Sequence, residues 1–220
     1  MPDGVIFDMD GVLVDSGPAH HESWQMLAKK HGLDVSVERF HQTFGRTSRD
    51  IIRTIWGEST SDEQVRRLDD EKEAIYRELI RNSVPLMPGC RELLIRLLSA
   101  GLVLAVATSG PPGNLELVLS VGLIANYFEA TVHGFEIAAG KPAPNCFLLA
   151  AERLNLPPSS CVVIEDAPVG IEAARAAGMP TIALSGTHPA QVLKAAGAAH
   201  VVQRLDEITP ELVAQTLTAT

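Results

Sequence analysis

Four short stretches of this 220-residue chain carry side chains that can do chemistry together. Asp8-Met9-Asp10-Gly11 sets two carboxylates at i and i+2, directly after the apolar run Gly4 to Phe7. On an extended chain such residues point to the same side, and a bend just past a strand end lets both face one site. Gly11 allows that turn and lets backbone N–H groups approach an anion. Two acids this close repel unless a cation joins them or one stays protonated. Thr108-Ser109-Gly110 offers a hydroxyl and backbone N–H groups, which suits a phosphoryl oxygen and equally an ordinary turn. Gly140-Lys141-Pro142-Ala143-Pro144 places an amine on a proline-stiffened loop, and Lys141 is the one lysine between Lys72 and Lys194. Fixed backbone angles lower the entropy of holding that amine in place. Glu165-Asp166 repeats the opening logic after the apolar run Cys161 to Ile164. Three or four carboxylates converging at one sheet edge make a hard oxygen site for Mg²⁺. Paired acids also fill turns and cap helices. Capping of a helix from Val169 by Asp166 explains one acid of the second pair but not both.

The elements that must position these groups follow from periodicity. Strands are expected at Gly4 to Phe7, Val103 to Ala107, Ala130 to His133, Cys161 to Ile164, Thr181 to Leu184 and Ala199 to Val202. Helical patterns lie between them, at Arg91 to Ala100, Asn114 to Val121, Asn145 to Leu154, Val169 to Ala177 and Pro189 to Ala196, with a closing helix from Pro210. Alternating βα units imply a parallel sheet covered by helices on both faces. Ligands in such sheets bind at the carboxyl ends of the strands. Residues 17–82 differ: they carry helical patterns and no strand. Helices are expected there at Pro18 to His31 with Ser16 as cap, at Ser36 to Phe44, at Arg49 to Trp56 with Thr47 or Ser48 as cap, and from Ser61 through Ile80. The fold class is therefore α/β, with a core from residues 1–16 and 83–220 and an inserted all-α domain at 17–82. An insert at that place is expected to act as a lid over a small substrate.

The balance of 46% hydrophobic and 20% charged residues is that of an ordinary globular protein. A net charge of -9 argues against a nucleic-acid or anionic-membrane surface. No apolar run approaches a membrane span, and no basic segment precedes an apolar one at the N-terminus. Cys90, Cys146 and Cys161 form no CxxC pair and read as reduced core thiols. Together these readings lead to the expectation of a cytoplasmic protein.

Asp8-Met9-Asp10-Gly11-Val12-Leu13-Val14-Asp15-Ser16 resembles the first motif of the haloacid dehalogenase (HAD) superfamily of phosphotransferases. The stretches at Thr108, Lys141 and Glu165-Asp166 resemble its second, third and fourth motifs, in order. The resemblance implies a Rossmann-like core with a helical cap after the first strand. It makes Asp8 the nucleophile and Asp10 the general acid/base, with Thr108 and Lys141 binding the transferring phosphoryl group. Ser109 and Gly110 would line the substrate. Asp8, the backbone carbonyl of Asp10 and Asp166 would hold Mg²⁺, with Glu165 in an outer shell. An acid at position 10 favours phosphoryl transfer to and from oxygen over dehalogenation.

Within the superfamily the chain resembles the β-phosphoglucomutase-like phosphatases and mutases. Asp15-Ser16 leads to His20 and Trp24, like a cap helix with a histidine near the hinge. His20 and His21 are neighbours and point apart on a helix, which leaves one facing solvent. Phe44-Gly45-Arg46-Thr47-Ser48-Arg49 is similar to the cap loop whose last arginine, here Arg49, grips a second phosphate in the mutase. Lys72, four residues before Tyr76, is similar to a cap lysine that reaches the substrate; both cations also suit solvated helix faces. The chain departs from the mutase in Ser109-Gly110-Pro111-Pro112-Gly113-Asn114, which has no cation for a distal phosphate, leaving Arg49 and Asn114. The expectation is a phosphomonoester hydrolase acting on a small phosphorylated metabolite, with the mutase as alternative and no protein partner implied. A phospho-accepting receiver module shares the acid, hydroxyl and lysine set. It lacks a helical insert after the first strand, and its acceptor lies on an interior strand.

Overall fold

The computed structural model describes residues 3–33 and 48–218. The expected helix Ser36 to Phe44, and Phe44 to Thr47 of the loop resembling the mutase, lie outside the described residues. Six parallel strands form one sheet: β1 (Gly4–Phe7), β2 (Val103–Ala107), β3 (Ala130–Val132), β4 (Cys161–Glu165), β5 (Thr181–Leu184) and β6 (His200–Val202). Their order is β3-β2-β1-β4-β5-β6. The apolar runs Val5-Ile6-Phe7 and Val162-Val163-Ile164 are buried on both faces, as central parallel strands must be. Order reverses at β1, whose neighbours are β2 on one side and β4 on the other. Their carboxyl ends therefore open the crevice that such sheets use for ligands.

The chain divides into two compact units, Met1–Asp15 with Val84–Thr220, and Ser16–Ser83. The second holds α1 (Gly17–Lys30), α2 (Ser48–Trp56) and α3 (Asp62–Ile80). Its core joins Trp24, Leu27 and Ala28 of α1 to Ile51, Ile52 and Ile55 of α2 and Val65 and Leu68 of α3. The i, i+3, i+4 spacing of these residues places them on one face of each helix. Burying each large one contributes roughly 1.5–3 kcal/mol. Ser61 caps α3 by accepting from the Gln64 N–H at 3.2 Å. Ser16 stands at the N-cap of α1, but its hydroxyl makes no capping bond.

The sheet unit holds α4 (Cys90–Ser99), α5 (Pro112–Val121), α6 (Asn145–Arg153), α7 (Pro168–Ala176), α8 (Ala190–Ala196) and α9 (Pro210–Thr218). Cys146, Phe147, Ala150 and Ala151 of α6 and Ala173, Ala174 and Ala177 from α7 and its end pack against Ile6, Ala105 and Val163 of the sheet. Two starts differ from the sequence expectation for one reason: Pro112 and Pro168 occupy the first turns of α5 and α7, where the missing N–H costs nothing. Asp166 does not cap α7; the cap position is Ala167. β4 also runs one residue further than expected, to Glu165. As a strand residue, Glu165 projects to the side opposite Ile164, and the chain turns before Asp166. Among the described residues no helix is long and apolar enough to cross a membrane.

Candidate active site

The four reactive stretches meet at the carboxyl end of the sheet. Asp8 follows β1 and donates its N–H to the Ile164 carbonyl of β4 at 2.9 Å. Thr108 follows β2 and donates its N–H to Val132 of β3 at 3.0 Å. Neighbouring strands thus fix the exits of both segments. Asp8, Asp10, Thr108, Ser109, Gly110, Lys141, Glu165 and Asp166 line one cavity of about 210 Å³ together with Ala167 and Val169. That volume holds a phosphoryl group and a few waters.

Lys141 sits at the centre of the charge network. Its ammonium donates to Asp8 Oδ1 and to Glu165 Oε1, each at 2.6 Å, and lies 4.9 Å from the Phe147 ring centroid. The other Glu165 oxygen, Oε2, accepts from the backbone N–H groups of Asp166 and Ala167, each at 2.7 Å. Both Glu165 oxygens are therefore engaged. This acid anchors Lys141 and the turn into α7. Thr108 Oγ1 accepts from the Gly110 N–H at 3.0 Å. That bond uses a backbone donor expected to face an anion, and it leaves the Thr108 hydroxyl proton free to be donated.

Two glycines make room for the acids. Gly11 has φ +77, and a Cβ there would lie 2.0 Å from Asp166 Oδ2. A Cβ on Gly170, in the first turn of α7, would lie 1.7 Å from Glu165 Oε1. Any side chain at either position would displace a carboxylate of the site.

Asp8, Glu165 and Asp166 are buried, and one oxygen from each lies within 4.8 Å of the others. Burial pushes Asp8 up to about 7; repulsion from Glu165 and Asp10 adds to the rise and Lys141 opposes it. Burial, then Glu165 and Asp8, likewise raise Asp166 well above the usual carboxylate range. Burial alone would lower Lys141, but the carboxylates of Asp8 and Glu165 outweigh it and hold the amine protonated. One ammonium thus faces three acids. The remaining oxygens, on Asp8 and Asp166, are hard donors that a divalent cation would stabilise in the charged form, so this donor set fits Mg²⁺.

The raised carboxyls give a pH test. Without metal, the folded chain keeps the Asp8 proton at pH values between the ordinary 3.8 and about 7, where the unfolded chain has lost it. Its stability therefore falls as pH rises through that window. A cation must displace these protons, so its affinity rises with pH. The Mg²⁺-induced increase in Tm over an EDTA control is expected to be larger at pH 8 than at pH 5. Equal increases would remove these carboxyls as the cation site.

Other candidates lie elsewhere. Asn114 is buried on α5 and is not among the cavity-lining residues. Lys72 is no solvated helix charge: it is 3% exposed, and its ammonium sits 2.8 Å from His20 Nδ1 and 2.7 Å from Glu73 Oε1. An ammonium only donates, so Nδ1 accepts and the His20 ring proton resides on Nε2. His20 stacks on Tyr76 with centroids 4.0 Å apart. His20 and His21 are both half-buried, so neither is fully in solvent. Arg49, half exposed, pairs with Asp62, which Arg53 also contacts. The three cysteines are buried and free, and burial pushes the Cys90 thiol up to about 12.

The model of the haloacid dehalogenase-like hydrolases matches residues 2–178. The chain is 34% identical over 185 residues to the phosphorylated carbohydrates phosphatase of Thermotoga maritima, covering 82% of this chain and 83% of that protein. It is 30% identical over 216 residues to the beta-phosphoglucomutase of Bacillus subtilis, covering 95% and 92%. Among solved structures, a HAD hydrolase of family IA, variant 3, from Entamoeba histolytica superimposes with a TM-score of 0.91 at 28% identity, covering 98% of this chain and 99% of that one. With a parallel sheet of this order and its acids gathered at the crevice, the chain belongs to the haloacid dehalogenase-like hydrolases and is an enzyme of their β-phosphoglucomutase-like group.

Proposed function

We propose that this enzyme hydrolyses the phosphomonoester of a small phosphorylated metabolite, a sugar phosphate, by way of a phosphoryl group carried on Asp8. The observation that carries this reading is the single cavity shared by Asp8, Asp10, Thr108, Lys141 and Asp166. Asp8 attacks phosphorus while Asp10 protonates the departing ester oxygen. Asp10 then takes a proton from water, which attacks the same phosphorus and returns Asp8 as a carboxylate with release of phosphate. Lys141 and the Thr108 hydroxyl neutralise the equatorial oxygens, and Ser109 and Gly110 shape the wall beside them. Mg²⁺, held by Asp8, Asp166 and the Asp10 backbone carbonyl, would supply Lewis-acid neutralisation of the phosphoryl charge. The sugar-phosphate class draws support from the relative that bears the name of a phosphorylated carbohydrates phosphatase. We assign residues 17–82 as the cap, with His20, Arg49 and Lys72 as its substrate-reading side chains.

A second reading, phosphohexomutase, draws on the 30% identity to a beta-phosphoglucomutase. A mutase must make water lose to a sugar hydroxyl, so it needs the distal phosphate held firmly by charge-assisted donors. Ser109 to Gly113 offers no cation, and Arg49 must first leave Asp62. β-Glucose 1-phosphate with a trace of the 1,6-bisphosphate is therefore expected to yield mainly free phosphate, followed by phosphorus NMR. Arg49→Ala is expected to raise KM for phosphosugars more than it lowers kcat, as loss of a ground-state contact does. Isomerisation outpacing phosphate release, abolished in Arg49→Ala, would make the chain a mutase.

A further inference from the structure

The loop Ser185-Gly186-Thr187-His188 joins β5 to α8, and periodicity marks it only as a connection. β5 lies beside β4 in the sheet, so this loop emerges next to Asp166. His188 Nδ1 lies 3.2 Å from the Asp166 backbone carbonyl. A carbonyl oxygen only accepts, so Nδ1 carries a proton and donates it. The Thr187 hydroxyl faces the Asp166 carboxylate and opposes the rise of its pKa. The point where a Gly11 Cβ would stand lies 2.0 Å from Asp166 Oδ2 and 3.0 Å from Thr187 Oγ1. Residues from the β1, β4 and β5 ends thus converge on one carboxylate.

The loop is itself held at both ends. Ser185 donates its N–H and its hydroxyl to the Val202 carbonyl of β6, at 2.8 Å and 3.1 Å. Pro189 follows His188 and restricts that residue to extended backbone. A loop needed only for connection has no call for two donors aimed at the same acid.

We infer that Thr187 and His188 are positioning residues that clamp Asp166, its side chain and its backbone, in the place from which it binds a cation. The inference rests on the reading of Asp166 as an Mg²⁺ ligand. Donors behind a ligating group set its orientation, and their loss commonly weakens metal binding about 10–100-fold. Thr187 fixes which way the carboxylate turns, and His188 fixes the peptide that carries it.

The test is the Mg²⁺ dissociation constant by titration calorimetry on the full chain, with the Tm in EDTA measured alongside. Thr187→Val and His188→Ala are each expected to weaken Mg²⁺ binding by about 10-fold or more. Thr187→Ser, which keeps the hydroxyl, and His188→Asn, which keeps an N–H, are expected to stay within about 3-fold of the parent. The metal-free Tm is expected to change little in all four. The two residues are probed independently, so a poorly folded variant at one leaves the other decisive. A parent chain that binds Mg²⁺, with unchanged affinity in Thr187→Val and His188→Ala, overturns the clamp alone. A parent chain that binds no Mg²⁺ overturns the metal reading and the clamp with it.

Discussion

Asp8→Asn is expected to lower kcat by roughly 10⁴-fold or more with little change in fold. The substitution keeps the shape of the side chain and removes its charge, so the amide oxygen is a poor nucleophile and no phosphoryl group is carried. The buried site tolerates the change: Asp8 is already pushed up to about 7 by burial, so a neutral group there fits its surroundings. Lys141 keeps its bond to Glu165. Steady-state turnover gives the rate. Mass spectrometry of acid-quenched enzyme gives the second readout, with a phosphoryl adduct on the parent chain and none on the variant. Near-normal turnover by Asp8→Asn would shift the nucleophile to another residue.

Lys141→Met is expected to damage both rate and stability. Methionine matches the length of the lysine stem and supplies no charge. Removing one preorganised cation from a transferring phosphoryl group costs about 10²–10³ in kcat. The same change strands Asp8 Oδ1 and Glu165 Oε1, which lose their 2.6 Å partners. With the Lys141 side chain only 7% exposed, breaking such a buried pair costs about 3–5 kcal/mol. Urea unfolding in EDTA reads that loss. Mg²⁺ is expected to recover part of the stability, by charging Asp8, and little of the rate. A variant as stable as the parent would mean that Asp8 and Glu165 do not need Lys141 as a buried partner.

Much of this architecture was legible in the residues themselves. The strands read from apolar runs recur within a residue or two, because β1, β4 and β5 are buried on both faces and leave no polar positions to blur the pattern. Strand order was not legible: nothing in Val103 to Ala107 says which edge of β1 it will take. The acids and Lys141 were legible as types, since few structural needs place paired carboxylates after an apolar strand. Their individual tasks were not. Glu165 reads as one of two adjacent acids, and only its place as the last residue of β4 turns it toward Lys141 while Asp166 turns toward Gly11. Lys72 sits among charged neighbours in Asp70-Glu71-Lys72-Glu73, and a helical wheel cannot tell that its ammonium lies 5.4 Å from the Trp24 ring centroid and 5.5 Å from that of Tyr76. Thr187 and His188 gave no signal, because a hydroxyl and an imidazole before a proline describe countless loops.

The central position of β1 has a consequence for how the enzyme comes into being. β1 pairs in register with residues 103–106 on one side and 161–164 on the other, partners synthesised roughly a hundred or more residues later. Pairings so distant in sequence are slow, since loop-closure entropy is lost before any contact repays it. During translation the strand that carries the nucleophile emerges before both of its neighbours, with both edges open in the interval. The helices of residues 17–80 share a core among themselves and need no later strand to form it. Glu165 and Asp166 can therefore meet Asp8 only after residues 161–166 have been made and β4 has paired with β1.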